Sequence, residues 1–458
     1  MSSNIPEQGE RVSMKFVTLV SIVAALGGVL FGFDTAVISG AIGFMQQHFD
    51  LNEFQVGWAV SSLIIGCIVG AMSSGVLSER FGRKKVLITA AILFIIGSAF
   101  SAVPVTFSQF IIARMIGGIG IGITSTLCPL YNAEIAPAKY RGRLVALNQL
   151  ATVTGISLVY FVNLWITGLG SEAWGISSAW RWMFAFGLIP GVLFLVLLFL
   201  VPESPRWLIK QGRAAESLPI LVKIHGETLA KQEVLEIKES FRVENGSIRQ
   251  LFSPALRLAL IVGVGLAILQ QVTGINAVLY YAPEIFKQTG AGTNAALIQT
   301  IFVGVINLLF TILAIWLIDK VGRKMLLLVG SSAMLICLIV IGAAFQTGHT
   351  SGPWVLIFIL IYVAAFAVSL GPVVWVVISE IFPNRIRGKA TAIASMALWT
   401  ADYVVSQTFP PMLVSAGPAL TFWIFGLMAL ITVIFTWRAV PETKGKTLEE
   451  IESLWAAK

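Results

Sequence analysis

The sequence predicts an all-α membrane protein: twelve transmembrane helices in two six-helix halves, with a short cytoplasmic helical segment between them. Three observations predict it. The 458 residues are 57% hydrophobic and only 12% charged, where soluble proteins carry roughly 25% charged residues. Apolar stretches recur a dozen times, each close to the about 20 residues that a spanning helix needs. Charged motifs of the first half also return in order in the second.

The stretches fall near 15–40, 55–77, 86–104, 108–131, 145–167, 181–201, 256–283, 295–318, 326–346, 354–379, 390–413 and 418–439. The first fifteen residues are polar. The stretch after them is too long for a signal-peptide core and ends in no obvious cleavage site, so it reads as a retained first span. The one long polar break, 202–253, is rich in both charge signs and predicts a few amphipathic helices outside the bilayer. The expected organisation is an N-terminal half over 1–201, a helical linker over 202–253, a C-terminal half over 254–440 and a tail over 441–458.

Formal charge is +8, which in a soluble protein would suggest nucleic acid. Here Lys and Arg sit in alternate short loops, where they orient helices, so no nucleic-acid partner is expected. One set of loops holds Arg80, Arg83, Lys84 and Lys85, then Lys139, Arg141 and Arg143, then the linker, then Lys320, Arg323 and Lys324, then Arg385, Arg387 and Lys389. The other set offers little beyond Arg181 and Lys287. The positive-inside rule puts the first set and both termini in the cytoplasm. Cys67, Cys128 and Cys337 lie inside apolar stretches, which argues against a disulfide framework. The three histidines, His48, His225 and His349, are scattered, so neither a metal site nor a cofactor is expected.

The repeat is specific. Glu79-Arg80-Phe81-Gly82-Arg83-Lys84 returns as Asp319-Lys320-Val321-Gly322-Arg323-Lys324, 240 residues later. Glu134-Ile135-Ala136-Pro137, followed by Arg141-Gly142-Arg143, returns as Glu380-Ile381-Phe382-Pro383, followed by Arg387-Gly388-Lys389. Pro202-Glu203-Ser204 returns as Pro441-Glu442-Thr443. A duplicated six-helix half is the build of a rocking transporter with its site between the halves.

The motifs Gly27-Gly28-Val29-Leu30-Phe31-Gly32-Phe33-Asp34-Thr35-Ala36-Val37-Ile38-Ser39-Gly40, Pro202-Glu203-Ser204-Pro205-Arg206-Trp207-Leu208, Gln270-Gln271-Val272-Thr273-Gly274-Ile275-Asn276 and Pro441-Glu442-Thr443-Lys444-Gly445 run from the first span to the tail. Through them the chain resembles the sugar porter family of the major facilitator superfamily, most of all its bacterial proton-coupled pentose and hexose symporters. The resemblance implies a major facilitator fold. It also implies uptake of a monosaccharide such as xylose or glucose by proton symport through alternating access. A proton-independent facilitator and a carrier of inositol-like polyols are the alternatives. The implied partners are a monosaccharide, a proton and the lipid bilayer of the cell membrane, and one chain supplies a complete pathway as a monomer.

Asp34, Arg114 and Asp402 are the clear charges inside spans. Such charges cost roughly 2.5–3.5 kcal/mol on translocon scales and face a bundle interior or a cavity. Asp34 lies about six residues from the outer end of span one, and Arg114 about six from the outer end of span four, so both sit roughly 9 Å deep. The matched depth permits an ion pair, and the resemblance implies that spans one and four adjoin. Burial favours the neutral carboxyl and a nearby Arg favours the carboxylate. The pair can therefore be a proton switch or a fixed strut, and the resemblance implies the switch, since proton-coupled sugar porters carry an acid at this position. Asp402 stands where sugar porters commonly carry a substrate-touching amide. Sugar contact, proton movement and a neutral hydrogen-bonding group all remain open for it.

Sugars need many hydrogen bonds and an apolar face. Neutral amides donate and accept without a buried charge, and Gln149, Gln270, Gln271, Asn276 and Asn307 sit at mid-span depth. A lone amide in a span is often only interhelical glue, worth about 0.6 kcal/mol. The resemblance implies sugar contact for these five and for Trp375. Phe31, Tyr281 and Trp399 are further aromatic candidates, and Tyr280 reads as a gate or as core. Two family positions that can hold Gln hold Ile156 and Leu398 here.

The clusters Glu79, Arg83, Glu134, Arg141, Glu203 and Arg206, with Asp319, Arg323, Glu380, Arg387 and Glu442, contain acids that helix orientation does not need. By resemblance they form a cytoplasmic gate whose ion pairs link helix ends when the protein faces outward. Gly66 and Gly70, and Gly118 and Gly122, read as close helix packing. The run from Gly117 to Gly122 lacks the preceding strand of a nucleotide loop, and the chain holds no Gly-x-x-x-x-Gly-Lys-Ser/Thr, so ATP is not the expected driver. A membrane enzyme would need an acid–base or nucleophile constellation at one depth, and none is found. A channel would need a filter-like ring, and a sugar-sensing receptor a long tail.

Overall fold

A computed structural model describes residues 14–137, 140–243 and 248–445. Fifteen helices are used below: α1 (Met14–Phe49), α2 (Glu53–Phe81), α3 (Arg83–Ala102), α4 (Phe107–Ile135), α5 (Arg141–Thr167), α6 (Glu172–Leu200), α7 (Pro205–Lys210), α8 (Ala214–His225), α9 (Glu227–Val243), α10 (Leu256–Lys287), α11 (Thr293–Val321), α12 (Arg323–Thr347), α13 (Trp354–Glu380), α14 (Asn384–Ser415) and α15 (Gly417–Ala439). Eleven of them are long and apolar enough to cross a membrane. The 32-residue α14 is long enough but less apolar, because it carries Asp402, Gln407 and two prolines. With it the spans number twelve. The expected linker helices are α7, α8 and α9, followed by a short 3₁₀ turn over Ile248–Phe252. Of the expected tail only 441–445 lie among the described residues.

The repeat is visible as packing. In the first half α1 lies on α5, α2 on α4, and α3 on α4 and α6. In the second half the corresponding helices pair the same way: α10 on α14, α11 on α13, and α12 on α13 and α15. The halves meet through α2 with α14, α5 with α11, and α1 with α10.

Small residues set the closest approaches. A Cβ at Gly66 would lie 2.2 Å from the Met115 carbonyl, and one at Gly118 would lie 2.2 Å from the Leu63 carbonyl. The α2–α4 contact is therefore backbone against backbone, which lipid-embedded helices achieve only with small residues. At the short loops the chain supplies its own caps. Asn52 and Gln55 form a capping box at α2, and Thr106 and Gln109 form one at α4, satisfying amide donors that would otherwise have no partner.

One expectation changes. The apolar stretch of span one stops near 40, but α1 continues as helix to Phe49. Asp34 is thus much farther from the helix end than the sequence suggests, and depth counted from that end does not locate it. Helices outrun the bilayer where polar residues such as Gln46 and Gln47 can face water.

Candidate functional site

Asp34 on α1 and Arg114 on α4 meet inside the first half. Arg114 Nη1 donates to Asp34 Oδ1 at 2.8 Å and Nη2 donates to the Asp34 carbonyl at 3.1 Å. The guanidinium also lies 5.3 Å from the centre of the Phe184 ring, and both charged side chains are buried. Phe31, one turn before Asp34, meets Trp399 of α14 edge-on across the two halves, with centroids 5.5 Å apart.

In the second half α10 breaks in mid-span. Gly274 takes φ +89, and a Cβ there would lie 2.5 Å from the Phe425 ring, so only glycine fits. The break presents Gln270, Gln271 and Asn276 together. Asn276 Nδ2 donates to Gln271 Oε1 at 2.8 Å. Gln270 Nε2 donates to the carbonyls of Leu370 and Gly371, at 2.8 and 3.1 Å, where α13 is itself broken at Ser369. That leaves Gln270 Oε1 buried with no partner among the described residues. Trp375 stands between one and two turns beyond the α13 break and is partly exposed, as is Gln149 on α5. Asn307 is buried on α11.

Above these groups the face opposite the basic loops is sealed. Ser61 Oγ donates to Gln407 Oε1 at 2.6 Å, and Gln407 Nε2 donates to the Phe54 carbonyl at 3.0 Å. Ser157 Oγ donates to the Gly304 carbonyl at 2.8 Å, and Tyr160 Oη donates to the Leu279 carbonyl at 2.7 Å. All four bonds join one half to the other. Gln149 and Asn307 lie on the basic-face side of the Ser157–Gly304 contact, by about two turns and one turn. Sequence reasoning missed this seal. Its only trace there is a few polar residues in otherwise apolar spans.

Two sugar candidates sit in the seal. Tyr281 is buried and its hydroxyl donates to the Ser406 carbonyl at 2.9 Å. Asp402 is 0% exposed. Ser406 Oγ donates to its Oδ1 at 3.1 Å, the side chains of Asn276 and Tyr280 lie against it, and Oδ2 has no partner among the described residues. Sugar contact by either residue is therefore closed in this conformation, and the partly exposed Asn276 stands in front of Asp402. An ionised carboxyl buried without a cation costs several kcal/mol, against about 1–3 kcal/mol for an unpaired neutral hydroxyl.

At the basic face each half builds the same cluster. Arg83 grips Glu134 in a fork, Nε to Oε2 at 2.9 Å and Nη2 to Oε1 at 2.7 Å, and also reaches Glu79. Arg323 grips Glu380 in the same way, at 3.2 and 2.9 Å, and reaches Asp319. Glu203 accepts from the backbone N–H of Arg83 at 2.9 Å, and Glu442 from that of Arg323 at 3.0 Å. These acids therefore cap the N-termini of α3 and α12, where a negative charge is favoured. Burial pushes the Glu442 carboxyl up, but the N–H groups of Lys444, Arg323, Lys324 and Thr443 together hold it below the usual range. Glu79 also pairs with Lys210 of α7. Arg206 is half-buried on α7 and Arg387 on α14, and Arg387 Nε donates to the Phe382 carbonyl at 3.3 Å. The Arg141 side chain lies outside the described residues. The pairs join helix ends within each half and are formed while the opposite face is sealed.

The profile of the family described as "Sugar (and other) transporter" matches residues 20–455. The chain belongs to that family. The transporter is 50% identical over 444 residues to the arabinose-proton symporter of Bacillus subtilis, covering 97% of this chain and 96% of that one. It is 47% identical to the D-xylose-proton symporter of Escherichia coli, covering 96% of each. Among solved structures it resembles the partially occluded inward open conformation of the xylose transporter XylE from E. coli. The TM-score is 0.86 at 45% identity, over 94% of this chain and all of that one. The fold is thus that of a major facilitator transporter.

Proposed function

We propose that this transporter takes up a pentose or hexose by proton symport across the plasma membrane, with the basic face and both termini cytoplasmic, acting as a monomer. The observation that carries the reading is the buried Asp34–Arg114 pair, one turn from the Phe31–Trp399 contact that joins the halves. The relatives named arabinose-proton and D-xylose-proton symporters support both the substrate class and the coupling.

With the non-basic face sealed, the conformation is inward-facing. Sugar hydroxyls bind the Gln270 oxygen, the Gln271–Asn276 amide pair, Asn307 and Gln149, and Trp375 packs on the ring C–H face. Separating Asp34 from Arg114 on outward opening lets Asp34 take up a proton, and re-forming the pair displaces it inward. One charge moving through 100 mV yields about 2.3 kcal/mol, enough for roughly fifty-fold accumulation at about 1.4 kcal/mol per decade.

The test is uptake of labelled arabinose, xylose and glucose into vesicles, with and without a proton uncoupler. Accumulation of at least one sugar that collapses with the uncoupler supports symport. Uptake that equilibrates equally in both arms makes the protein a facilitator, and uptake of inositol alone makes it a polyol carrier.

A further inference from the structure

We propose that Asp402 is a second proton-binding site, filled when the outer side closes and distinct from the Asp34–Arg114 pair. It rests on the symporter reading and adds a proton-linked step to the same cycle.

Asp402 lies on α14 between Trp399, which meets Phe31 across the halves, and Gln407, which ties α14 to α2 in the seal. It is fully buried, and one of its oxygens is without a partner among the described residues. Asp34 has Arg114 at 2.8 Å. Among the described residues Asp402 has no such counter-charge. The titratable groups that face it are Tyr280 and Tyr281 of α10 and Cys67 of α2, and none carries positive charge. No Lys, Arg or His of α2, α10, α13 or α15 pairs with it among the described residues. The donors around it are all neutral: the Ser406 hydroxyl at 3.1 Å, the Asn276 amide and the Tyr280 hydroxyl. A carboxylate in such a place keeps an uncompensated charge out of water, and the neutral acid does not.

The covering groups belong to the seal. Tyr281 is held to α14 through the Ser406 carbonyl, and the neighbouring Tyr160 crosses from the other half to α10. When α10 and α14 part from α2 and α5, water reaches Asp402 and the carboxyl ionises as an ordinary aspartate does at neutral pH. Closing the outer side then requires that it take a proton from the external medium. By linkage the sealed state binds one more proton here than the open state, so rising external pH opposes closure by up to about tenfold per pH unit.

The test separates this proton from that of Asp34. Exchange of labelled D-xylose and L-arabinose is measured in proteoliposomes against external pH for Asp34→Asn and for the double variant Asp34→Asn/Asp402→Asn. Exchange by the single variant should fall as pH rises, and the double variant should lose that dependence. In parallel, infrared spectra of purified wild type and Asp402→Asn in the inward-facing state should differ by the carbonyl band of one protonated carboxylic acid. Asp402→Glu should keep that band, shifted. Identical pH profiles in the two exchange variants, or no band lost with Asp402→Asn, overturn the proposal. If wild type exchanges neither of these sugars nor D-glucose, the symporter reading fails, and the infrared band still decides whether Asp402 holds a proton.

Discussion

The two halves share a plan and differ in what they bury. Both pair their six spans identically, and both end in the same fork of arginine on glutamate beside an acid that caps a helix. Inside, the first half holds a compensated ion pair. The second holds spans broken at Gly274 and Ser369 and, among the described residues, a buried carboxyl with no cation beside it. Duplication supplied one scaffold twice, and the two interiors then diverged. The contrast teaches that the shared pattern marks what the fold needs, while the unshared residues mark what the carrier does.

The largest effect tests the first half's interior. Asp34→Asn should abolish uphill sugar accumulation, from tens-fold to none, while sugar still exchanges down its gradient. Accumulation surviving in that variant would remove Asp34 from proton coupling.

The second half's interior should answer differently. Gln270→Ala or Asn276→Ala should raise the KM for sugar about three- to tenfold, since each removes a hydrogen bond worth about 0.5–1.5 kcal/mol. Coupling should persist in both. A loss of coupling with unchanged KM in either variant would mean that these amides serve coupling and not sugar binding.

The basic-face clusters allow a graded comparison. Glu134 is 6% exposed at its side chain and Glu380 is 26% exposed. Arg83→Gln leaves a buried carboxylate uncompensated, at a cost of about 3–5 kcal/mol. Arg323→Gln leaves one that water can reach, at roughly 1 kcal/mol or less. Thermal unfolding should rank the two variants in that order, and equal shifts would mean that burial does not set the difference.

The smallest effect is at Glu442. Its folded carboxyl is depressed, so its stabilisation is present above the unfolded value of about 4.3 and is lost as pH falls through the lower folded value. Thermal stability of Glu442→Gln should sit slightly below wild type at neutral pH and converge with it in acid. A gap that stays constant with pH would assign the effect to shape and not to charge.

Much of this was legible in the sequence because bilayer physics writes itself in composition. The spans, the repeat and the rarity of Asp34 and Arg114 follow from what lipid excludes. The amide cluster was readable because Gln270, Gln271 and Asn276 straddle Gly274, and the α2–α4 glycines because their spacing places them on one helix face. Depth was not readable for Asp34, since α1 runs past its apolar stretch. The seal at Gln407, Ser61, Ser157 and Tyr160 was not readable either, because each bond joins residues more than a hundred positions apart and one partner is often a backbone carbonyl.

The sequence by itself determined twelve spans, their pairing into two like halves and the few residues that lipid could not tolerate unless they were useful. Only the tertiary structure decided which of those residues meet. It joined Asp34 to Arg114 and left Asp402 in the seal with no cation beside it among the described residues. Composition reports the solvent each segment must live in, but a partner for a buried charge is a matter of distance between helices, and that is set by packing.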